Sequence, residues 1–179
     1  FTNTQKPSFR LVKLDSYSGL GLAGATFRIA QIEDGSHYLD RVTDTKGEIN
    51  ISDLEPGIYS VVEMDAPEGY VKDSREYHVE LFPGQNSELV VSNDRMPNLE
   101  ILKTDAITGK PVAGVTFTVK RVDSSTLTTV TSDGNGRCYL EKLMPGVYEI
   151  WEQSVPDGYL LNEAHQMICL LYTSPSPRD

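Results

Sequence analysis

The sequence predicts an all-β chain: two tandem antiparallel β-sandwich domains, the second incomplete at its C-terminal end. Three observations carry that expectation. A long stretch of sequence repeats at an offset of about 90 residues. Short alternating apolar runs recur between clusters of turn residues, as strands do. No segment keeps the roughly 3.6-residue period of an amphipathic helix. An adjacent-repeat organisation of this kind suits a stalk better than a compact enzyme.

The first copy reads Lys13-Leu14-Asp15 and then Gly19-Leu20-Gly21-Leu22-Ala23-Gly24-Ala25-Thr26-Phe27. At an offset of 90 the second reads Lys103-Thr104-Asp105 and then Gly109-Lys110-Pro111-Val112-Ala113-Gly114-Val115-Thr116-Phe117. Further on, Leu54-Glu55-Pro56-Gly57-Ile58-Tyr59 returns as Leu143-Met144-Pro145-Gly146-Val147-Tyr148 at an offset of 89. The same shift takes Glu63 to Glu152, and Pro67-Glu68-Gly69-Tyr70 to Pro156-Asp157-Gly158-Tyr159. One residue is lost in the variable segment 31–40, where a loop tolerates it.

In the first copy, strands are expected at 9–14, 26–31, 57–63, 77–82 and 88–91. Turns at Asp44-Thr45-Lys46-Gly47, Glu55-Pro56-Gly57 and Pro83-Gly84 separate them. The domains are expected at 7–95 and 96–168. Asn93 precedes Lys103 by ten residues, and Asn3 precedes Lys13 by the same ten. Residues 1–6, with Asn3, therefore read as the end of a preceding repeat and its linker. Phe1 in place of a start methionine agrees with a processed or fragmentary chain.

Composition narrows the function classes. The 179 residues are 39% hydrophobic, enough for two small domains. A net charge of −10 argues against nucleic acid, whose binders carry basic patches. No apolar run approaches the roughly 18 residues of a membrane span, and no signal peptide is recognisable. Cys138 and Cys169 are too few for a disulfide framework, so an extracellular module would need another staple.

The inward faces of the strands carry the chemistry. Residues i, i+2 and i+4 of a strand share a face. Phe9, Leu11 and Lys13 therefore point one way, as do Leu99, Ile101 and Lys103. Tyr59, Val61 and Glu63 do so in another strand, with Tyr148, Ile150 and Glu152 as counterparts. The apolar members take Lys and Glu inward with them. An unpartnered buried charge is costly, so a pair repeated at matching sites calls for an explanation. Leu89, Val91 and Asn93 also share a face, which adds a carboxamide. Burial favours the neutral, nucleophilic form of a lysine amine. A buried glutamate tends to be protonated, and can then donate a hydrogen bond to the carboxamide oxygen of Asn93 and polarise it. Attack by Lys13 on that carbonyl, with Glu63 relaying protons, would expel ammonia and leave an amide cross-link, driven by enforced proximity.

These residues sit in a familiar setting. Tyr59-Ser60-Val61-Val62-Glu63-Met64-Asp65-Ala66-Pro67-Glu68-Gly69-Tyr70 closely resembles the Y-x-x-x-E-x-x-A-P-x-G-Y box of Cna B-type, SpaA-like pilin domains. Residues 19–27 resemble their G-x-x-L-A-G-A-x-F segment, which follows the first-strand lysine. The resemblance spans nearly all of residues 1–168, twice. It implies Gram-positive surface modules with a prealbumin-like, or inverse immunoglobulin, sandwich. It implies further that Lys13 and Asn93 form an isopeptide bond with Glu63 as the catalytic residue, and that Lys103 and Glu152 take the equivalent places. Such chemistry is single-turnover, so the chain is not expected to be an enzyme. The second copy departs from the box at Val155, where the family has Ala.

After Ile168 the repeat breaks off. The first copy continues from Leu81 to Asn93 through a last strand, but the second has no equivalent. Cys169-Leu170-Leu171-Tyr172-Thr173-Ser174-Pro175-Ser176-Pro177-Arg178-Asp179 instead resembles the one-frame translation of a transposase adapter used in DNA library preparation. Residues 169–179 are therefore expected to be a non-native tail. Lys103 is then left without a bonding asparagine, and Lys103 and Glu152 should meet without a third partner.

Other signals have plainer readings. Gly19-Leu20-Gly21-Leu22-Ala23-Gly24 fits a dinucleotide-binding pattern, but a strand rather than a helix follows it. Asp133-Gly134-Asn135-Gly136 opens like a calcium loop, yet its twelfth position is Met144, so a hairpin turn is expected. His37, His78 and His165 lack metal-ligand spacing. Trp151 is expected to face outward. The favoured function is a structural repeat of a pilus shaft or adhesin stalk, extracellular and attached to the cell wall, with no metal or cofactor. Its expected partners are neighbouring repeats, other pilin subunits or host matrix. The alternatives are a matrix- or glycan-binding module of an adhesin and an accessory domain of a secreted hydrolase. Neither a sorting signal nor a pilin-polymerising lysine motif occurs in these residues, so shaft and stalk both stand.

Overall fold

A computed structural model of the chain describes residues 3–33, 35 and 37–172, and no helix occurs among them. The chain divides between Arg95 and Met96 into two compact units. The first contains β1 (Ser8–Asp15), β2 (Thr26–Gln31), β3 (Tyr38–Val42), β4 (Glu48–Ile51), β5 (Gly57–Asp65), β6 (Glu76–Leu81) and β7 (Asn86–Asn93). One sheet has the order β4-β1-β7 and the other β3-β2-β5-β6. Phe9, Leu11, Ile49 and Val91 of the first sheet meet Phe27, Ile29, Tyr59 and Val61 of the second in a single core. This is the sandwich that alternating burial predicts: β1 buries Phe9, Leu11, Lys13 and Asp15 and turns the residues between them outward.

The ladders of this unit are antiparallel except one. β1 and β7, the first and last strands, run parallel, with Ser8 opposite Asn86 and Asp15 opposite Asn93. The antiparallel sandwich expected from the sequence is otherwise present, and this one parallel pair is an addition to it. Two further strands, β3 and β4, were not foreseen. β3 is an edge strand whose residues are mostly exposed, so it has no apolar alternation to read. β4 has only four residues, just after a turn.

The second unit repeats the plan with β8 (Leu99–Leu102), β9 (Thr116–Arg121), β10 (Leu127–Thr131), β11 (Arg137–Leu140), β12 (Gly146–Ser154) and β13 (Gln166–Leu170). These correspond in order to β1 to β6 and form sheets β11-β8 and β10-β9-β12-β13. No counterpart of β7 is present among the described residues. β13 runs past Ile168 through Cys169 to Leu170, which pairs with Gly146 and is buried. Leu170 falls where Leu81 sits in the first unit, and an apolar residue at that alternating position suffices to continue the strand. Residues 173–179 of the expected non-native tail lie outside the described residues.

One turn in each unit supports the lysine strand from behind. Gly47 has a φ of +80°, and its carbonyl accepts the Lys13 N–H at 2.7 Å. A side chain at Gly47 would come within 2.5 Å of the Lys13 carbonyl oxygen. Gly136 repeats this with a φ of +73° and a 2.7 Å bond from the Lys103 N–H. Left-handed backbone together with this close approach leaves only glycine. Gly47→Ala should destabilise the first unit by about 2 kcal/mol or more, from the left-handed penalty plus the clash. A lowered denaturant midpoint at unchanged slope would record this.

Candidate functional site

Lys13, Glu63 and Asn93 converge at one end of the first sandwich. Lys13 comes from β1, Glu63 from β5 and Asn93 from the last position of β7. Lys13 Nζ donates to Asn93 Oδ1 and lies 3.2 Å from Glu63 Oε1. Asn93 Nδ2 donates to that same Oε1 at 2.9 Å. No residue of the three is more than 2% exposed. The sequence argument set Glu63 against the carboxamide oxygen, whereas the structure sets it against the carboxamide nitrogen. The lysine, a donor only, takes the acceptor end of the amide, and the donor end is left to the carboxylate.

Local structure aims each group. A β-bulge sits beside the glutamate: Thr26 pairs with Asp65 and Phe27 with Glu63, so Met64 is an extra residue. The Glu63 side chain turns inward opposite Phe27, whose ring lies 5.5 Å from Lys13 Nζ. Burial pushes the Lys13 amine below its ordinary pKa, and the neighbouring Glu63 pulls the other way.

The sequence reading missed two supports. The first is the backbone N–H of Asp73, which donates to Glu63 Oε2 at 2.6 Å and leaves Oε1 to the reacting pair. The Asp73 carboxylate is itself held by Arg75 at 2.9 Å and by the Tyr77 hydroxyl at 2.6 Å. A backbone donor leaves no mark in a sequence. Its only trace is a constant spacing, because Asn162 donates to Glu152 Oε2 at 2.9 Å from the same separation of ten residues. The second support is Asp15. It is buried and accepts from the N–H groups of Tyr17 and Ser18, from the Tyr70 hydroxyl at 2.7 Å and from Arg95 Nε at 2.6 Å. Its signal was the aspartate two residues after the lysine in both copies.

In the second unit Lys103 Nζ lies 2.6 Å from Glu152 Oε1, and a bulge at Gln153 repeats the one at Met64. With no β7 counterpart among the described residues, the pair faces an open groove lined by Ile101, Phe117, Ile150 and Ile168. The Lys103 side chain is 24% exposed where that of Lys13 is 0%. Asn3 is exposed and outside any strand. The calcium-like loop is a turn in which Asp133 accepts the N–H groups of Asn135 and Arg137, as Asp44 does for Lys46 and Glu48. The glycine pattern is also structural, since a side chain at Gly21 would strike the Lys46 carbonyl. Among the described residues no group of metal-ligating side chains gathers. Trp151 lies half-buried and stacks on His165, with ring centroids 4.9 Å apart.

Comparison with known proteins agrees with this fold. The SpaA prealbumin-like fold domain family matches residues 7–95 and again residues 97–170. The chain belongs to that family. No match is found among curated proteins. Among solved structures, the two SpaA-type domains are similar to part of the Bacillus anthracis TIE protein, at 27% identity and a TM-score of 0.52. That match covers 95% of this chain and 32% of the other, so the chain spans about a third of that protein. A streptococcal ancillary pilin is 24% identical with a TM-score of 0.56, over 94% of this chain and 60% of its own. The shaft pilin SpaA of Lactobacillus rhamnosus GG is 17% identical with a TM-score of 0.56, over 94% of each chain. At these identities the two pilins share the fold.

Asp15 gives the first SpaA-type domain a pH dependence. Burial alone would raise its carboxyl. The Ser18 N–H, the Tyr70 hydroxyl, Arg95 and the Tyr17 N–H outweigh that and hold it well below the usual carboxylate range. A carboxyl whose folded pKa is depressed adds stability that is full above its unfolded value, about 3.9, and is lost as pH falls from there through the lower folded value. Stability should therefore decline below about pH 4–5, and Asp15→Asn should lower it at neutral pH while flattening this acid slope. Denaturant midpoints across the acid range test this.

Proposed function

We propose that the first domain closes a covalent amide between Lys13 and Asn93, and that the tandem serves as a structural repeat of a Gram-positive surface stalk or pilus. The observation that carries this is one oxygen, Glu63 Oε1, within reach of both nitrogens: 3.2 Å from Lys13 Nζ and 2.9 Å from Asn93 Nδ2. In the neutral form that burial favours, Lys13 Nζ attacks Asn93 Cγ. The Nζ–Cγ bond forms, one proton passes from Nζ through Glu63 Oε1 to Nδ2, the Cγ–Nδ2 bond breaks and ammonia leaves. The fold supplies the drive by holding the reactants together at high effective concentration. The product amide is uncharged, which ends the cost of burying an ammonium.

The bond would span 80 residues of sequence. By the entropy of closing a loop of that size, it would stabilise the domain by roughly 4–5 kcal/mol. It would also deny proteases the opening between first and last strands. In the second domain Lys103 and Glu152 form an ion pair, and no asparagine carboxamide bonds to Lys103 among the described residues. A stalk role places the chain outside the cell, with neighbouring repeats and other pilin subunits as partners. The similarity of fold to a shaft pilin and to an ancillary pilin supports that reading.

Intact mass spectrometry of the recombinant chain should show the loss of one ammonia, and a proteolytic digest should contain a branched peptide joining Lys13 to Asn93. Lys13→Ala and Glu63→Ala should each retain the full mass. A wild-type chain at its unreacted mass refutes the proposal.

A further inference from the structure

The reaction read above needs Asn93 in one register against Lys13, and β7 is a strand that could slip. Lys13 and Asn93 are separated by 80 residues, and so are Asp15 and Arg95. In the parallel ladder Asp15 stands directly opposite Asn93, two residues beyond Lys13 opposite Val91. Lys13 thus reaches diagonally forward to Asn93, and Asp15 reaches by the same diagonal to Arg95. The ion pair is the next rung of the pattern that brings the reacting groups together.

We infer that Arg95 is a positioning residue: its bond to Asp15 locks the register of β7 and so seats Asn93 for the cross-link. The inference rests on the amide-forming reading. Asn93, the last residue of β7, and the two residues after it are pinned to the corner after β1 and to the loop at residues 70–71. The Asn93 carbonyl accepts the Ser16 N–H at 3.0 Å, and the Asp94 carbonyl accepts the Val71 N–H at 2.8 Å. The Ser16 hydroxyl bonds the Asp94 carboxylate, and Arg95 closes the set on Asp15 at 2.6 Å. Among these, the arginine–aspartate contact alone pairs opposite charges, one of them on a buried carboxylate, and such bonds are the strong ones. A slip of β7 by two residues toward its own N-terminus would carry Arg95 away from Asp15 and replace Asn93 beside Lys13 with another residue.

The second domain shows the corner without the last strand, which has no counterpart among the described residues. Asp105 keeps the N–H groups of Ile107 and Thr108, the Thr108 hydroxyl and Tyr159 as partners. It has no counterpart of Arg95 among the described residues and is half-buried, where Asp15 is 2% exposed. The corner therefore forms without the last strand and its arginine, and stands ready for the strand to dock on it.

The test is a time course of ammonia loss by intact mass after cell-free synthesis of the full chain, with circular dichroism to score folding. Arg95→Ala should fold and react at least about tenfold more slowly, because a displacement of about an ångström at a reacting centre costs as much or more. Arg95→Lys, which keeps the charge, should recover part of the rate. Arg28→Ala, which breaks an exposed ion pair to Asp40 in the same domain, should react like wild type. Asp15→Asn should slow the reaction less in the Arg95→Ala background than in wild type, since the ion pair they share is already lost. If Arg95→Ala does not fold, Arg95→Gln takes its place with the same expectation. A wild-type rate in the folded Ala or Gln variant overturns the register lock and leaves the cross-link standing. A wild-type chain that never loses ammonia overturns the cross-link itself, and the lock with it.

Discussion

The first domain is organised around a lysine amine with no access to water. Charged and isolated in a protein interior, such a group would cost several kcal/mol even after relaxation. The chain answers with a carboxylate, a carboxamide and an aromatic face, drawn from both sheets. Each answer requires a strand to arrive from a different part of the sequence. The bulge at Met64, the glycine turn behind Lys13 and the Asp73 amide are what it takes to deliver those groups to one point. The two domains differ mainly in whether the third group is present, and the lysine's exposure follows: sealed in one, partly open in the other.

The repeat made much of this legible. Matching Lys13 to Lys103 and Glu63 to Glu152 turned two unremarkable charges into a spatial constraint, because alternation along a strand fixes which side chains share a face. Leu89, Val91 and Asn93 yielded the carboxamide by the same rule. Alternation does not give the orientation of one group within the site, so the glutamate was set against the wrong end of the amide. Alternation is also silent on strand direction, and the parallel pairing of β1 with β7 went unseen. β3 was invisible because Leu39 alone of its residues packs against the core, and β4 because it is too short to show a period.

Two further omissions have one cause. The Asp73 amide acts through its backbone, which every residue but proline possesses, so composition cannot reveal it. Asp15 follows the lysine and begins a turn, where aspartate is unremarkable. Its second carboxylate oxygen is what matters, and that oxygen is committed to Tyr70 and Arg95, 55 and 80 residues away. Local chemistry explained half of the side chain and concealed the rest. At the other end of the chain, Leu170 shows the converse: an apolar residue at the right parity is accepted into a strand whatever the origin of the segment that carries it.

The parallel β1–β7 ladder has a consequence for how the domain is made. β1 is the first strand of the unit to be synthesised and β7 the last. One edge of β1 must therefore wait, with its backbone hydrogen-bonding groups unpaired and Lys13 unmatched, while the rest of the unit is translated. At ordinary rates of synthesis that interval lasts roughly 4–15 seconds, ample time for an open edge to find another strand. Arg10, exposed on β1 and flanked by glutamates on both neighbouring strands, puts a charge on that waiting strand. Charge on a strand left open is a common guard against mispairing, so the ion pairs that dress the outer face of the finished sheet also suit its unfinished state.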